Sequence, residues 1–162
     1  VWLSVYWGMF KNIDLEKLDI LMTDKMNHYG IIFLRYSVAV IFIWFGLLKT
    51  FGISPAQELV ANTVYWFTNK SGFVIFLGWW EVLIGLTMLY KPMVRISLFL
   101  LFFQMPGTFL PLILLPEVCF TYFPMGLTLE GQYIVKNLII ISAALTITGS
   151  IRRAQLNKKI TA

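Results

Sequence analysis

Residues 73–90 read FVIFLGWWEVLIGLTMLY, eighteen positions whose only ionisable groups are Glu81 and the phenol of Tyr90. A bilayer crossing takes about 17–25 helical residues, so this run is long enough to span. Three further runs, residues 31–51, 93–115 and 134–151, have the same character. None alternates as a barrel strand does, and in lipid a backbone must satisfy its own hydrogen bonds, so helices are the reading that remains. The expected fold is all-α, an integral membrane four-helix bundle with an N-terminal interfacial helix and a short outer-loop helix. Three parts follow: an interfacial segment 1–30, the four-span domain 31–151 and a basic tail 152–162.

Composition points the same way. Hydrophobic residues make up 59% of the chain and charged ones 13%, and the mean hydropathy is +0.77, far from an average soluble protein with about 25% charged residues. A net charge of +5 raises the question of nucleic acid, but the cations are scattered over the span ends instead of massed on one surface. No nucleic-acid partner is expected. Cys119 is the single cysteine, which rules out an internal disulfide or a CxxC redox pair within this chain, and it reads as a small apolar filler. His28, the single histidine, reads as an interfacial residue.

Alternating spans put the amino terminus, the 91–92 link and the carboxyl terminus on one side. That side holds Lys11, Lys17, Lys25, Arg35, Lys91, Arg95, Arg152, Arg153, Lys158 and Lys159, against Lys49, Lys70 and Lys136 on the other. The positive-inside rule then makes both termini cytoplasmic. Ahead of the first span, Leu15, Leu18, Leu21, Met22 and Met26 recur at helical spacing, as in a helix lying on a membrane surface. Trp2, Tyr6, Trp7 and Phe10 suit the interface or a docking contact. Val1 stands where an initiator Met would, and no signal peptide is read from it. In the first outer link, Ser54, Pro55 and Gln57 predict a capped short helix reaching Trp66 before a turn at residues 69–72. The second, residues 116–132, is aromatic with no clear period, and the two links together are expected to form a lid.

Function is sought in the polar groups inside the spans. A carboxylate at mid-span costs roughly 2.5–3.5 kcal/mol on insertion scales, so Glu81 is expected to face the bundle interior, protonated or paired. Gly78 and Gly85, at i−3 and i+4 on its face, allow close helix approach. Lys49 and Lys136, near the outer ends of spans one and four, are candidate partners because a lysine stem can snorkel along a helix. Arg35, Ala39, Phe42, Gly46 and Lys49 form a stripe expected to face the bundle. Gln104 and Thr108 lie one turn apart at a similar depth, beside Pro106, Gly107 and Pro111, where unwound backbone is expected to line a polar cavity that Asn137 could join. Two readings stay open. The six residues Glu81, Lys49, Lys136, Gln104, Thr108 and Asn137 hold a ligand, or the same groups only fix helix register. No catalytic residue and no metal site is assigned: the sequence offers no ligand cluster, no nucleophile–base pair and no phosphate loop.

The end of the first span, Phe45-Gly46-Leu47-Leu48-Lys49, the run from Gly78 to Gly85, the Pro106-Gly107 step, and Gly131 followed by Lys136-Asn137 resemble the DoxX/DoxD-like membrane proteins, in the branch of the reactive-chlorine-resistance inner-membrane protein. The resemblance extends over residues 35–144. It implies a four-helix protein of the bacterial cytoplasmic membrane, an accessory subunit of a redox or oxidative-stress system with no covalent cofactor and a bound quinone or lipid. Other membrane subunits, or copies of the same chain in a homo-oligomer, are the implied partners, along with membrane lipids. Asn137 departs from that branch, which often carries an acid after the lysine, so a proton relay through this position is not implied. A purely structural subunit is the alternative, and a channel or transporter is weaker because so few polar positions make a poor aqueous path.

Overall fold

A computed structural model describes residues 15–160. The aromatic amino-terminal residues and the last two positions lie outside that range, and within it the side chains of residues 15–17, 28, 157 and 158 are not described. The chain divides into two compact units, residues 1–33 and 34–162. In the first, the described part is the beginning of helix α1 (Leu15–Thr50), with Leu18, Leu21, Met22 and Met26 exposed. Helical structure therefore continues unbroken from the segment expected at the interface into the first span.

The second unit contains the rest. After α1 come α2 (Gln57–Thr63), α3 (Lys70–Leu89), a 3₁₀ turn (Lys91–Met93), α4 (Val94–Phe109), α5 (Pro111–Leu114), α6 (Pro116–Cys119), a hairpin of β1 (Phe120–Tyr122) and β2 (Gly126–Leu127), α7 (Leu129–Val135) and α8 (Asn137–Ile160). Four helical stretches, Leu18–Thr50, Lys70–Leu89, Lys91–Leu114 and Leu129–Leu156, are long and apolar enough to cross a membrane. The all-α expectation holds apart from this one short hairpin, and so does the number of candidate spans.

Boundaries move for local reasons. Asn69 caps α3 by accepting from the Gly72 amide at 2.9 Å, so the second span starts at Lys70 and residues 70–72, expected in a turn, are helical. The Ser54 capping box does not form: Ser54 Oγ accepts from Ala56 N, α2 begins at Gln57 and it ends at Thr63, short of Trp66. Pro106 lies inside α4, which continues to Phe109, so the unwound segment expected there is absent. One missing N–H and a local bend are tolerated within a helix that neighbours hold in place. The backbone divides instead at Leu110, before Pro111. The fourth span divides at Lys136, where the amide of Ile139 bonds to the Lys136 carbonyl in a tight turn and the Asn137 side chain donates to the Tyr133 and Ile134 carbonyls. The basic tail is no separate segment, because α8 carries on through Arg152 and Arg153 to Ile160.

The expected small-residue faces form the α1–α3 contact. A Cβ on Gly46 would lie 2.6 Å from the Gly78 carbonyl, one on Gly78 would lie 2.7 Å from the Gly46 carbonyl, and one on Gly85 would lie 2.7 Å from the Ala39 carbonyl. Pairing 46 with 78 and 39 with 85 is antiparallel. Around this contact the core gathers Val38, Ala39 and Phe42 of α1, Ile84 and Met88 of α3, Leu101 and Met105 of α4, and Ala144 and Ile147 of α8. Each large side chain so buried contributes roughly 1.5–3 kcal/mol relative to water, although in lipid the closeness of packing decides the gain. Trp44, Phe76, Trp79, Phe99 and Phe103 point outward and are more than half exposed. At the end of the bundle where α3 begins, α2 packs on α3 and α5, with Thr63 and Val64 buried. The second link is a hairpin pinned by Thr128, whose hydroxyl donates to the Val118 carbonyl and accepts from Gly131 N to cap α7.

Candidate functional site

Glu81 lies about 16 Å from the start of α3 at roughly 1.5 Å per residue, deeper than a span beginning at Phe73 would put it. Its side chain is buried, and one helix away so is that of Lys49. Two features of the chain bring them together. The Gly46–Gly78 contact lets the α1 backbone approach α3, and α1 stops immediately afterwards: Gly52, at φ +73°, allows Ile53 N to reach the Leu48 carbonyl, closing the helix with Lys49 in its last turn. The lysine stem then extends onto the carboxylate. Lys49 Nζ donates to Glu81 Oε1 at 2.7 Å and to Oε2 at 2.5 Å.

Helix α4 supplies the third member. Gln104 Nε2 donates to Glu81 Oε1 at 2.8 Å, so one carboxylate oxygen takes both a lysine and an amide hydrogen. Turning its nitrogen to the acid sends the Gln104 carbonyl oxygen the other way, and this buried atom has no partner among the described residues. An unsatisfied buried acceptor costs about 1–3 kcal/mol. The Thr108 hydroxyl, one turn on, donates to the Gln104 backbone carbonyl at 3.4 Å. Gln104 and Thr108 are both half-buried.

Of the six residues singled out in the sequence, three converge: Lys49, Glu81 and Gln104. Thr108 adjoins them through the backbone of α4. Lys136 is exposed at the α7–α8 junction, with Nζ 5.2 Å from the centroid of the Tyr133 ring, and it makes no ion pair among the described residues. It is not a second cation for Glu81. Asn137 uses its amide on the Tyr133 and Ile134 carbonyls and is likewise outside the cluster. The reason is register: the tight turn at Lys136 gives both residues to the junction. The Arg35 stripe does face inward, with Ala39, Phe42, Gly46 and Lys49 buried, and the Arg35 guanidinium stacks 5.0 Å from the Tyr36 ring centroid.

Polar bonds deeper in the bundle escaped the sequence reading. Ser97 Oγ, fully buried, donates to the Ile84 carbonyl at 2.9 Å, Thr87 Oγ1 bonds to the Leu83 and Ile84 carbonyls, and Trp80 Nε1 reaches the Leu100 carbonyl at 3.4 Å. A small hydroxyl inside an apolar run was the available signal for Ser97. Outside the spans, Cys119 is fully buried, and burial together with the negative charge of Glu130 pushes its thiol above the ordinary value of 9.0. It is held as an inert thiol. Among the described residues no group of three or more His, Cys, Asp and Glu side chains is gathered to hold a metal ion. No family model, curated protein or solved structure matches the chain.

Proposed function

We propose that the protein is a small multi-pass membrane subunit or accessory protein whose Lys49–Glu81–Gln104 cluster receives a hydroxyl-bearing ligand: a quinone in its reduced quinol form, a lipid head group or a small polar solute. The carrying observation is the Gln104 carbonyl oxygen, buried beside an ion pair and lacking a donor among the described residues. A quinol or lipid hydroxyl donates the hydrogen that this oxygen lacks. Lys49 holds the negative charge of Glu81, and Glu81 fixes the Gln104 amide so that its carbonyl stays free to accept. Thr108 adjoins this end of the site. Partial exposure of Gln104 and Thr108 supplies a route of approach along α4.

The motifs at residues 45–49, 78–85 and 106–107 support a DoxX-like assignment, and with it a redox or oxidative-stress setting in a bacterial cytoplasmic membrane, both termini in the cytoplasm. Partners in that setting are other membrane subunits, further copies of the chain and lipid. Catalysis belongs to the assembly instead of to this chain alone.

Lipid extracts of the natively purified protein test the ligand. Gln104→Leu keeps the Lys49–Glu81 pair and removes the acceptor, so bound quinone or head-group lipid is expected to fall at least tenfold while helicity and thermal transition are retained. Unchanged content in a folded Gln104→Leu protein overturns the ligand reading. One observation favours a second reading, a structural subunit: both Glu81 oxygens are already engaged within the protein. Under it, purification gives a larger complex in fixed ratio, and variants at Glu81 change assembly with no loss of a bound molecule.

A further inference from the structure

At the other end of the bundle, α4 begins where α8 ends. Arg95, in the first turn of α4, donates from Nη2 to Gln155 Oε1 of α8 at 2.9 Å. This bond joins two helix ends across a cleft of about 360 Å³ lined by Arg95, Arg152, Gln155, Leu156 and Lys159. The cleft is open to the surface, and all five lining residues are exposed. Three cations line it, and neither α4 nor α8 contains a single Asp or Glu.

Ordinary topology signals leave part of this arrangement unexplained. Basic residues gather at cytoplasmic span ends, but those cations are commonly dispersed and solvated. Here one is tied across to a neighbouring helix. Arg95 also lies at the positive end of the α4 dipole, an unfavourable place for a cation, and Met93 gives that helix start no side-chain cap. Three cations on one cleft, with no acid on either helix, favour an anion there. The Arg95–Gln155 bond occupies the Gln155 oxygen, leaving the Gln155 amide hydrogens and the remaining guanidinium hydrogens as donors. Arginine's planar fork matches two phosphate oxygens. Near Arg95, Met93 of the 3₁₀ turn and Ile96 and Phe99 of α4 are exposed and apolar, a surface on which acyl chains can lie.

We infer that the Arg95–Arg152–Lys159 cleft is a binding site for the phosphate head group of an anionic membrane lipid. It is separate from the Glu81 cluster, and basic clefts between spans are a known means of holding anionic head groups. Arg95 and Arg152 contact the phosphate oxygens, Lys159 adds charge at the rim, and Gln155 keeps Arg95 in place before the lipid arrives.

The test uses the full chain in detergent, titrated with phosphatidylglycerol or phosphatidylcholine and read by native mass spectrometry. Phosphatidylglycerol is expected to bind at least tenfold more tightly, with the preference lost in the double variant Arg95→Gln, Arg152→Gln. Arg152→Gln alone, which leaves the interhelical bond intact, is expected to lose about threefold. Lys70→Gln, an exposed cation at the opposite end, is expected to keep the full preference. Equal binding of the two lipids, or an undiminished preference in the folded double variant, overturns the proposal. So does displacement of phosphatidylglycerol by an equal concentration of inorganic phosphate, which would assign the cleft to a soluble anion.

Discussion

Lys49 and Glu81 each protect the other from hydrocarbon, so neither has a useful measure alone. Removing one member of a buried pair typically costs 3–5 kcal/mol, because the other charge is left without a counterion, whereas replacing both with apolar groups is often neutral. Lys49→Met is therefore expected to destabilise the bundle by about 3–5 kcal/mol. Lys49→Met combined with Glu81→Leu should recover most of that loss, as read by reversible unfolding in mixed micelles. A double variant as unstable as the single would mean that Glu81 depends on Gln104 and the glycine contact more than on the lysine. Cys119 gives a second test at this scale. Burial and the charge of Glu130 push its pKa up, so at a given alkaline pH less of it is ionised than of an ordinary cysteine, and it is fully buried. Maleimide is expected to label it only after unfolding, with little gain in rate between pH 7 and pH 9 in the folded protein. Both acidic and basic members of the central pair were legible in the sequence, because a charge inside a span must be answered. Lys136 was chosen by depth alone, and depth does not say which way a side chain at a helix junction turns.

Helix contacts in this bundle depend on where a Cβ is missing. Gly46 and Gly78 oppose each other so closely that any side chain meets backbone, which cannot swing aside as a flexible side chain can. Gly46→Leu or Gly78→Leu is expected to destabilise the fold by at least the 1–3 kcal/mol typical of overpacking, and to separate Lys49 from Glu81. Gly149 in α8 has open space where its Cβ would be. Gly149→Ala should be neutral or stabilising by up to about 1 kcal/mol, since alanine costs less entropy in a helix. Thermal unfolding of the three variants in one detergent makes the comparison. The glycine face was visible from its i−3 and i+4 spacing around Glu81. The course of α4 through Pro106 was not, because a proline's local cost is known from sequence while the support of neighbouring helices is not.

Across the whole molecule, the antiparallel run of spans puts Lys91 and Arg153 at one end and Ser71 and Met125 at the other. With Cys119 replaced by Ala, Ser71→Cys and Met125→Cys are expected to react with a membrane-impermeant maleimide in intact cells. Lys91→Cys and Arg153→Cys should react only in inverted vesicles. Labelling of all four from one side would remove the four-span topology. The sequence by itself determined that this chain is helical, has four runs long enough to span, and must answer a buried carboxylate, since run length and the cost of charge in hydrocarbon are local properties of the residues. Tertiary structure decided which cation answers it, that Gln104 is left with a spare acceptor, and that Arg95 meets Gln155 to form a basic cleft. Those outcomes depend on the register between helices distant in sequence, set by glycine contacts and tight turns whose combined geometry no single stretch of residues encodes.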